Sequence, residues 1–192
     1  MAVVQTWNSS ELRALDQAHM LHPVSNLRQL RDNGPLVMVR GEDVFLWDAD
    51  GKQYIDAFAG LWNVNVGHGR AELAEAAAAQ IREVEFVPTF FGLASPMPIE
   101  LATRLAGLFP DPLNHFQFTA GGSESNETAL KMVRYYWWLK GSPEKIKVLS
   151  RKMAYHGIAM GEMAANGIKS YHEGLGPQVQ GLVHLRKQQA YR

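Results

Sequence analysis

Phe116-Gln117-Phe118-Thr119-Ala120-Gly121-Gly122-Ser123-Glu124-Ser125-Asn126-Glu127 joins a short alternating segment to a helical one through two glycines and a serine. Phe116 and Phe118 alternate with polar Gln117 and Thr119, the period of a strand. From Ser123 onward, Ala129, Leu130, Met132, Val133, Tyr136 and Trp137 follow helical spacing. A helix start leaves backbone N–H groups unpaired beside the positive end of the helix dipole, and glycines let an anion approach that backbone closely. The run therefore reads as a phosphate cradle. Two plainer readings compete with it. Gly-Gly-Ser before a helix also makes an ordinary turn, with Ser123 capping its own first-turn amides. Gly121-Gly122-Ser123-Glu124 begins like the nucleophile elbow G-x-S-x-G, but Ser125 stands where that motif needs glycine, and no acid–histidine arrangement lies nearby to complete a triad.

Working outward from this run, the segments on either side alternate between strand and helix character. Glu11 to Met20 has a helical face with Leu12, Leu15 and His19, closed by Pro23. Leu36 to Arg40, Val44 to Trp47 and Tyr54 to Asp56 are strand-like, with Asp48-Ala49-Asp50-Gly51 as a turn, so this part predicts a small antiparallel meander. Gly60 to Gly69 is irregular, and Arg70 to Glu85 is a helix with Leu73, Ala76, Ala77, Ile81 and Val84 in register. Ser95-Pro96 opens another helix, which Pro110-Asp111-Pro112 stops. Lys145 to Ser150 and Val183-His184-Leu185 are further strand candidates. Strands separated by helices predict an α/β architecture: an N-terminal helix and meander, then the first part of a mostly parallel, doubly covered sheet of about three strands. Such a sheet would have an uncovered apolar edge, so part of the domain is expected to be missing.

Composition narrows the function classes. Over 192 residues the formal net charge is zero, which gives no basic surface for nucleic acid and no polybasic patch for a membrane. Cysteine is absent, so disulfides and thiolate metal sites are excluded. His19 and His22, the closest histidine pair, lack the acidic partner of an H-E-x-x-H helix, and no metal site is expected. No signal peptide or membrane-spanning apolar run is read in the sequence, and the expected compartment is cytoplasmic.

Leu61-Trp62-Asn63-Val64-Asn65-Val66-Gly67-His68-Gly69-Arg70, Pro88-Thr89-Phe90-Phe91-Gly92, Thr119 to Asn126, Ala154-Tyr155-His156-Gly157 and Gly181-Leu182-Val183-His184-Leu185 together resemble the class III aminotransferases, pyridoxal-phosphate enzymes of fold type I. The likeness is nearest to the ω-amino acid, amine and taurine:pyruvate branch and runs in order over nearly all of the chain. It implies a division into 1–60, an N-terminal segment of the small domain, and 61–192, the first part of the large cofactor domain, truncated before the catalytic lysine. It implies pyridoxal 5'-phosphate as cofactor, with Gly122 and Ser123 in the phosphate cup and Gly121 beside them. Ala120 and Gly121 stand where relatives often have asparagine and serine, so a side-chain contact is expected to be lost. Tyr155 matches the aromatic residue that stacks on the pyridine ring, and His156 completes that motif. Trp62, Phe90 and Phe91 match substrate-pocket positions, the phenylalanines on a loop that tends to reach into the partner subunit of a homodimer. Trp137 and Trp138 read as packing residues, Lys131 and Arg134 as solvated helix charges.

Transamination needs a lysine that holds the cofactor's aldehyde covalently and then shuttles the proton, and an acid that keeps the ring nitrogen protonated. The resemblance puts both beyond Arg192, none of the lysines present has the matching context, and no catalytic residue is named. The expectation is the N-terminal portion of an enzyme moving an amino group from a primary amine or ω-amino acid to a keto acid such as pyruvate, the portion alone being inactive. A decarboxylase or aminomutase of the same fold, or a non-catalytic cofactor-binding or dimerising module, stays open at this point.

Overall fold

The protein, described here from a computed structural model over residues 7–187, divides into two compact units, Met1–Pro88 and Thr89–Arg192. In the first unit, α1 (Ser9–His19) starts where the Asn8 side chain accepts from the Glu11 amide at 3.2 Å. A second helix, α2 (Leu27–Asn33), is capped by Asn26 in the same way. Gln17 donates to the carbonyls of Leu30 and Arg31 in the last turn of α2, clipping the two helices together. The meander then follows as β1 (Met38–Glu42), β2 (Phe45–Asp48) and β3 (Gln53–Ile55), antiparallel in sheet order β1-β2-β3.

Asp48 builds the β2–β3 turn. Its carboxylate accepts from the amides of Asp50 and Lys52 and from the Tyr54 hydroxyl, at 3.0, 2.9 and 2.8 Å. Burial pushes the Asp48 pKa up, but the Tyr54 hydroxyl, these amides and the Lys52 charge together hold it below the ordinary carboxylate value. Arg13 of α1 pairs with Asp50 in the same turn. Beyond β3 comes α3 (Ala59–Trp62), a single turn, and then α4 (Ala71–Glu83), the Ala-rich helix that the sequence predicts.

The second unit contains α5 (Pro96–Ala106), α6 (Gly122–Leu139), β4 (Val148–Arg151), α7 (Met160–Ala165), a 3-10 turn (Lys169–Tyr171) and β5 (Leu182–Leu185). β4 and β5 are parallel, registered Val148↔Leu182 through Arg151↔Leu185. Short α7 is the most buried element. Gly161 to Ala165 lie inside, Met163 and Ala164 at 4% and 2% exposure, packed against α6 and both strands. Ser150 of β4 donates to the Ala165 carbonyl, and His172 and His184 lie against the carbonyls of Met163 and Ala165, so the C-terminal end of α7 is covered by polar partners.

The structure corrects four expectations. Phe116 to Thr119 forms no strand, and the parallel sheet has two strands among the described residues, not three. A strand exists by pairing, and this segment has no paired backbone among the described residues. Trp138 is exposed and stacks flat on Tyr135 rather than packing inside. Trp137 is half-buried, with the Lys145 ammonium 3.6 Å from its ring centroid. Arg134 is not a free surface charge: it donates to the Gln180 carbonyl at 2.6 Å, tying α6 to the loop before β5.

Candidate functional site

The candidate site is the start of α6 together with the loop Tyr155 to Met160. Gly121 is the N-cap in extended backbone, and the Glu124 side chain reaches back past it to accept from the Ala120 amide at 2.7 Å. Thr119 bonds the Ser125 hydroxyl and the Gly121 carbonyl, which sets the entry angle of the chain. The amides of Gly122, Ser123 and Glu124 find no acceptor among the described residues. A Cβ added to Gly121 or Gly122 would meet nothing within 4 Å, so the approach to those amides is open. Three convergent donors at the positive end of an 18-residue helix suit an anion.

Ser123 does not cap its own helix, the plain-turn alternative. Its hydroxyl instead accepts from the Ile158 amide at 3.3 Å, which brings the loop after Tyr155 to the cradle. Further bonds close the same seam. Asn126 donates to the His156 carbonyl at 2.7 Å, and Glu127 Oε1 accepts from the amides of Gly161 and Glu162 at 2.5 and 3.1 Å. Asn166, fully buried, accepts from the His156 amide at 2.5 Å and donates to the Gly157 carbonyl at 2.7 Å.

Glu162 is fully buried beneath this loop. Its Oε1 accepts from the Ala159 amide at 2.6 Å, and its carboxyl lies within hydrogen-bonding reach of Glu127 and of the Ser123 hydroxyl. Burial pushes its pKa up; the bonds from Glu127, from the amides of Glu162 and Ala159 and from Ser123 outweigh that and bring it below the ordinary value. Its second oxygen has no hydrogen-bond partner among the described residues. Gly157 makes this packing possible. At φ 139° its backbone is one that L side chains rarely adopt, and a Cβ there would collide with Glu162 Cγ and stand 2.7 Å from Ser123 Oγ.

Of the residues that the sequence singles out, the structure brings together Gly121, Gly122 and Ser123 with the loop that carries Tyr155 and His156. Tyr155 is exposed, its ring centroid 5.6 Å from that of Tyr171, while His156 contributes its backbone to the seam. Phe90 and Phe91 open the second unit, both exposed, with ring centroids 6.2 Å apart. Trp62 belongs to the first unit, exposed and tilted against Phe58 at 5.3 Å. Sequence reasoning missed Glu127, Glu162 and Asn166. Glu127 lies within the quoted glycine run, but its partners stand 34 and 35 residues away, a separation that leaves no periodic signal.

Among known proteins, the family model "Aminotransferase class-III" matches residues 28–192. Putrescine–pyruvate aminotransferase of Pseudomonas aeruginosa is 42% identical over 175 residues, which are 91% of this chain and 38% of that protein. The crystal structure of a thermostable (S)-enantioselective omega-transaminase from Thermomicrobium roseum superposes with a TM-score of 0.93 at 67% identity, over 95% of this chain and 41% of that one. The omega transaminase from Pseudomonas jessenii, solved in complex with PMP, gives a TM-score of 0.89 at 35% identity, over 92% and 39%. The chain thus spans about two fifths of the length of these relatives, and its fold is that of fold-type I transaminases. With the match covering most of its residues, the chain belongs to the class III aminotransferase family.

Proposed function

We propose that the chain is the N-terminal portion of a pyridoxal-phosphate aminotransferase that moves an amino group from a primary amine or ω-amino acid to a keto acid such as pyruvate. The observation that carries this reading is the open set of amides at Gly122, Ser123 and Glu124, seamed by Ser123 to the loop of Tyr155. These residues fit the cofactor. The amides and the Ser123 hydroxyl would hold its phosphate, with Gly121 giving clearance, and Tyr155 would stack on its ring beside His156. Bound there, the cofactor supplies an electron sink for the carbon that loses its proton. The chain's own residues supply binding and orientation. Trp62, Phe90 and Phe91 would line the substrate pocket, in a homodimer where the phenylalanine loop serves the partner's site. The division into a small-domain segment, 1–60, and a cofactor-domain segment, 61–192, is part of the same proposal, as is the cytoplasm as compartment. No described helix is long and apolar enough to cross a membrane.

The test is titration of the chain with pyridoxal phosphate, followed by the cofactor's absorbance and fluorescence, with a transamination assay alongside. The expected result is saturable binding that inorganic phosphate competes away, with no turnover. Binding indifferent to phosphate would sink the cradle, and borohydride trapping of the cofactor on a lysine of this chain would sink the claim that the essential lysine lies elsewhere.

A further inference from the structure

Gly60 and the flanking Ala59, Leu61 and Trp62 make α3 a left-handed turn, with φ of 56, 47, 59 and 66° respectively. Left-handed turns are costly for residues with a Cβ, and runs of them are rare outside glycine. Here three of four positions carry a side chain, and the last, Trp62, leaves a large indole 69% exposed. Both features work against the folded state, so something must enforce them.

The enforcing group is Asp56, directly after β3. Its carboxylate accepts from the Phe58 amide at 3.2 Å, the Gly60 amide at 2.8 Å and His68 Nε2 at 2.8 Å. Its own amide donates to the Val44 carbonyl, which fixes it to the meander. His68 is held as firmly. Its backbone exchanges two hydrogen bonds with Asp43, at 2.7 and 3.1 Å, and its ring lies so close over Gly41 that a Cβ there would come within 2.8 Å of it. Asn63 closes the far end by donating to the carbonyls of Gly60 and Leu61. The turn is thus suspended between two points of the sheet, with its strain borne by one carboxylate.

We propose that Asp56 and His68 are positioning residues: by holding the left-handed turn they fix the direction of the Trp62 indole, and thereby the bulk of the amine that the enzyme accepts. This rests on the reading above that Trp62 lines the substrate pocket. Asp56→Ala removes all three bonds; Asp56→Asn keeps a carbonyl oxygen where the Gly60 amide and His68 Nε2 both bond and gives up only the longer bond from the Phe58 amide, and serves as the conservative rescue. His68→Ala removes one bond and leaves the carboxylate, and it carries the test alone if Asp56→Ala does not fold.

The experiment uses the full-length enzyme proposed above. Two readouts are needed: amide hydrogen exchange over residues 57–66, and the ratio of kcat/KM for a bulky and a small primary amine. The expected result is faster exchange in that segment and a change of at least about tenfold in the ratio for His68→Ala and Asp56→Ala, with Asp56→Asn near the parent. Trp62→Ala separates the two ways of failing. If it shifts the ratio while His68→Ala does not, the positioning role is wrong and the pocket reading stands. If Trp62→Ala itself leaves the ratio unchanged, the pocket reading is wrong and this inference falls with it. Unchanged exchange in His68→Ala and Asp56→Ala overturns the proposal whatever the kinetics.

Discussion

Two glycines thirty-five residues apart in the chain meet opposite demands. Gly122 faces open space, whereas Gly157 is pressed between Glu162 and Ser123 at φ 139°. Gly157→Ala should therefore lower stability by roughly 2–4 kcal/mol, the sum of overpacking and backbone strain, seen as a fall in the melting temperature. Gly122→Ala should leave the melting temperature nearly unchanged and weaken pyridoxal-phosphate binding, because its methyl group would stand where the phosphate approaches. Ser123→Ala should weaken that binding by roughly tenfold to a hundredfold, the worth of one charge-assisted hydrogen bond. Replacing Tyr155 by leucine should cost less, since stacking contributes only about 0.5–1.5 kcal/mol beyond burial; affinities of the two variants measured side by side decide the order. Gly121, Gly122 and Ser123 were legible in the sequence because strand period, glycines and helix period are contiguous there. Glu162 and Asn166 were not, since nothing local marks a residue whose role is to be buried under a loop.

At the scale of elements, the meander shows how side-chain chemistry sets a pH limit. Asp48 is held below its ordinary pKa by Tyr54 and the turn amides despite its burial. A carboxylate whose folded pKa is depressed contributes stability that is fully present above its unfolded value, about 3.9, and is lost as pH falls through the folded value below it. Acid titration of the chain should therefore loosen the β2–β3 turn at pH below about 4, and Asp48→Asn should lower stability at neutral pH while flattening that acid dependence; circular dichroism against pH reads both. The three meander strands were legible because the Asp-Ala-Asp-Gly turn punctuates them. Helices α2 and α7 were not, at seven and six residues too short for a helical period to declare itself. Phe116 to Thr119 shows the converse: alternation identifies a segment ready to pair, but pairing is settled by a neighbour that sequence pattern does not contain.

For the whole molecule the decisive quantity is surface. The chain exposes 15866 Å², against roughly 11,000 Å² for two separate compact bodies of half its mass each. Much of the excess is apolar, including Leu108, Phe86, Leu139 and Leu149. The isolated chain should therefore bind a hydrophobic dye and associate as its concentration rises, both effects disappearing in the full-length protein; a monomeric, dye-silent chain in sedimentation would contradict this. The seam between α6 and the Tyr155 loop has a different character, because its bonds from Asn126, Ser123 and Glu127 span only 30 to 35 residues. Loops of that length close at modest entropic cost. At cellular rates of synthesis the stretch from Gly121 to Asn166 leaves the ribosome within roughly ten seconds, so a nascent polypeptide carries every partner needed to shape its anion-seeking corner early, and later segments fold onto a template already in place.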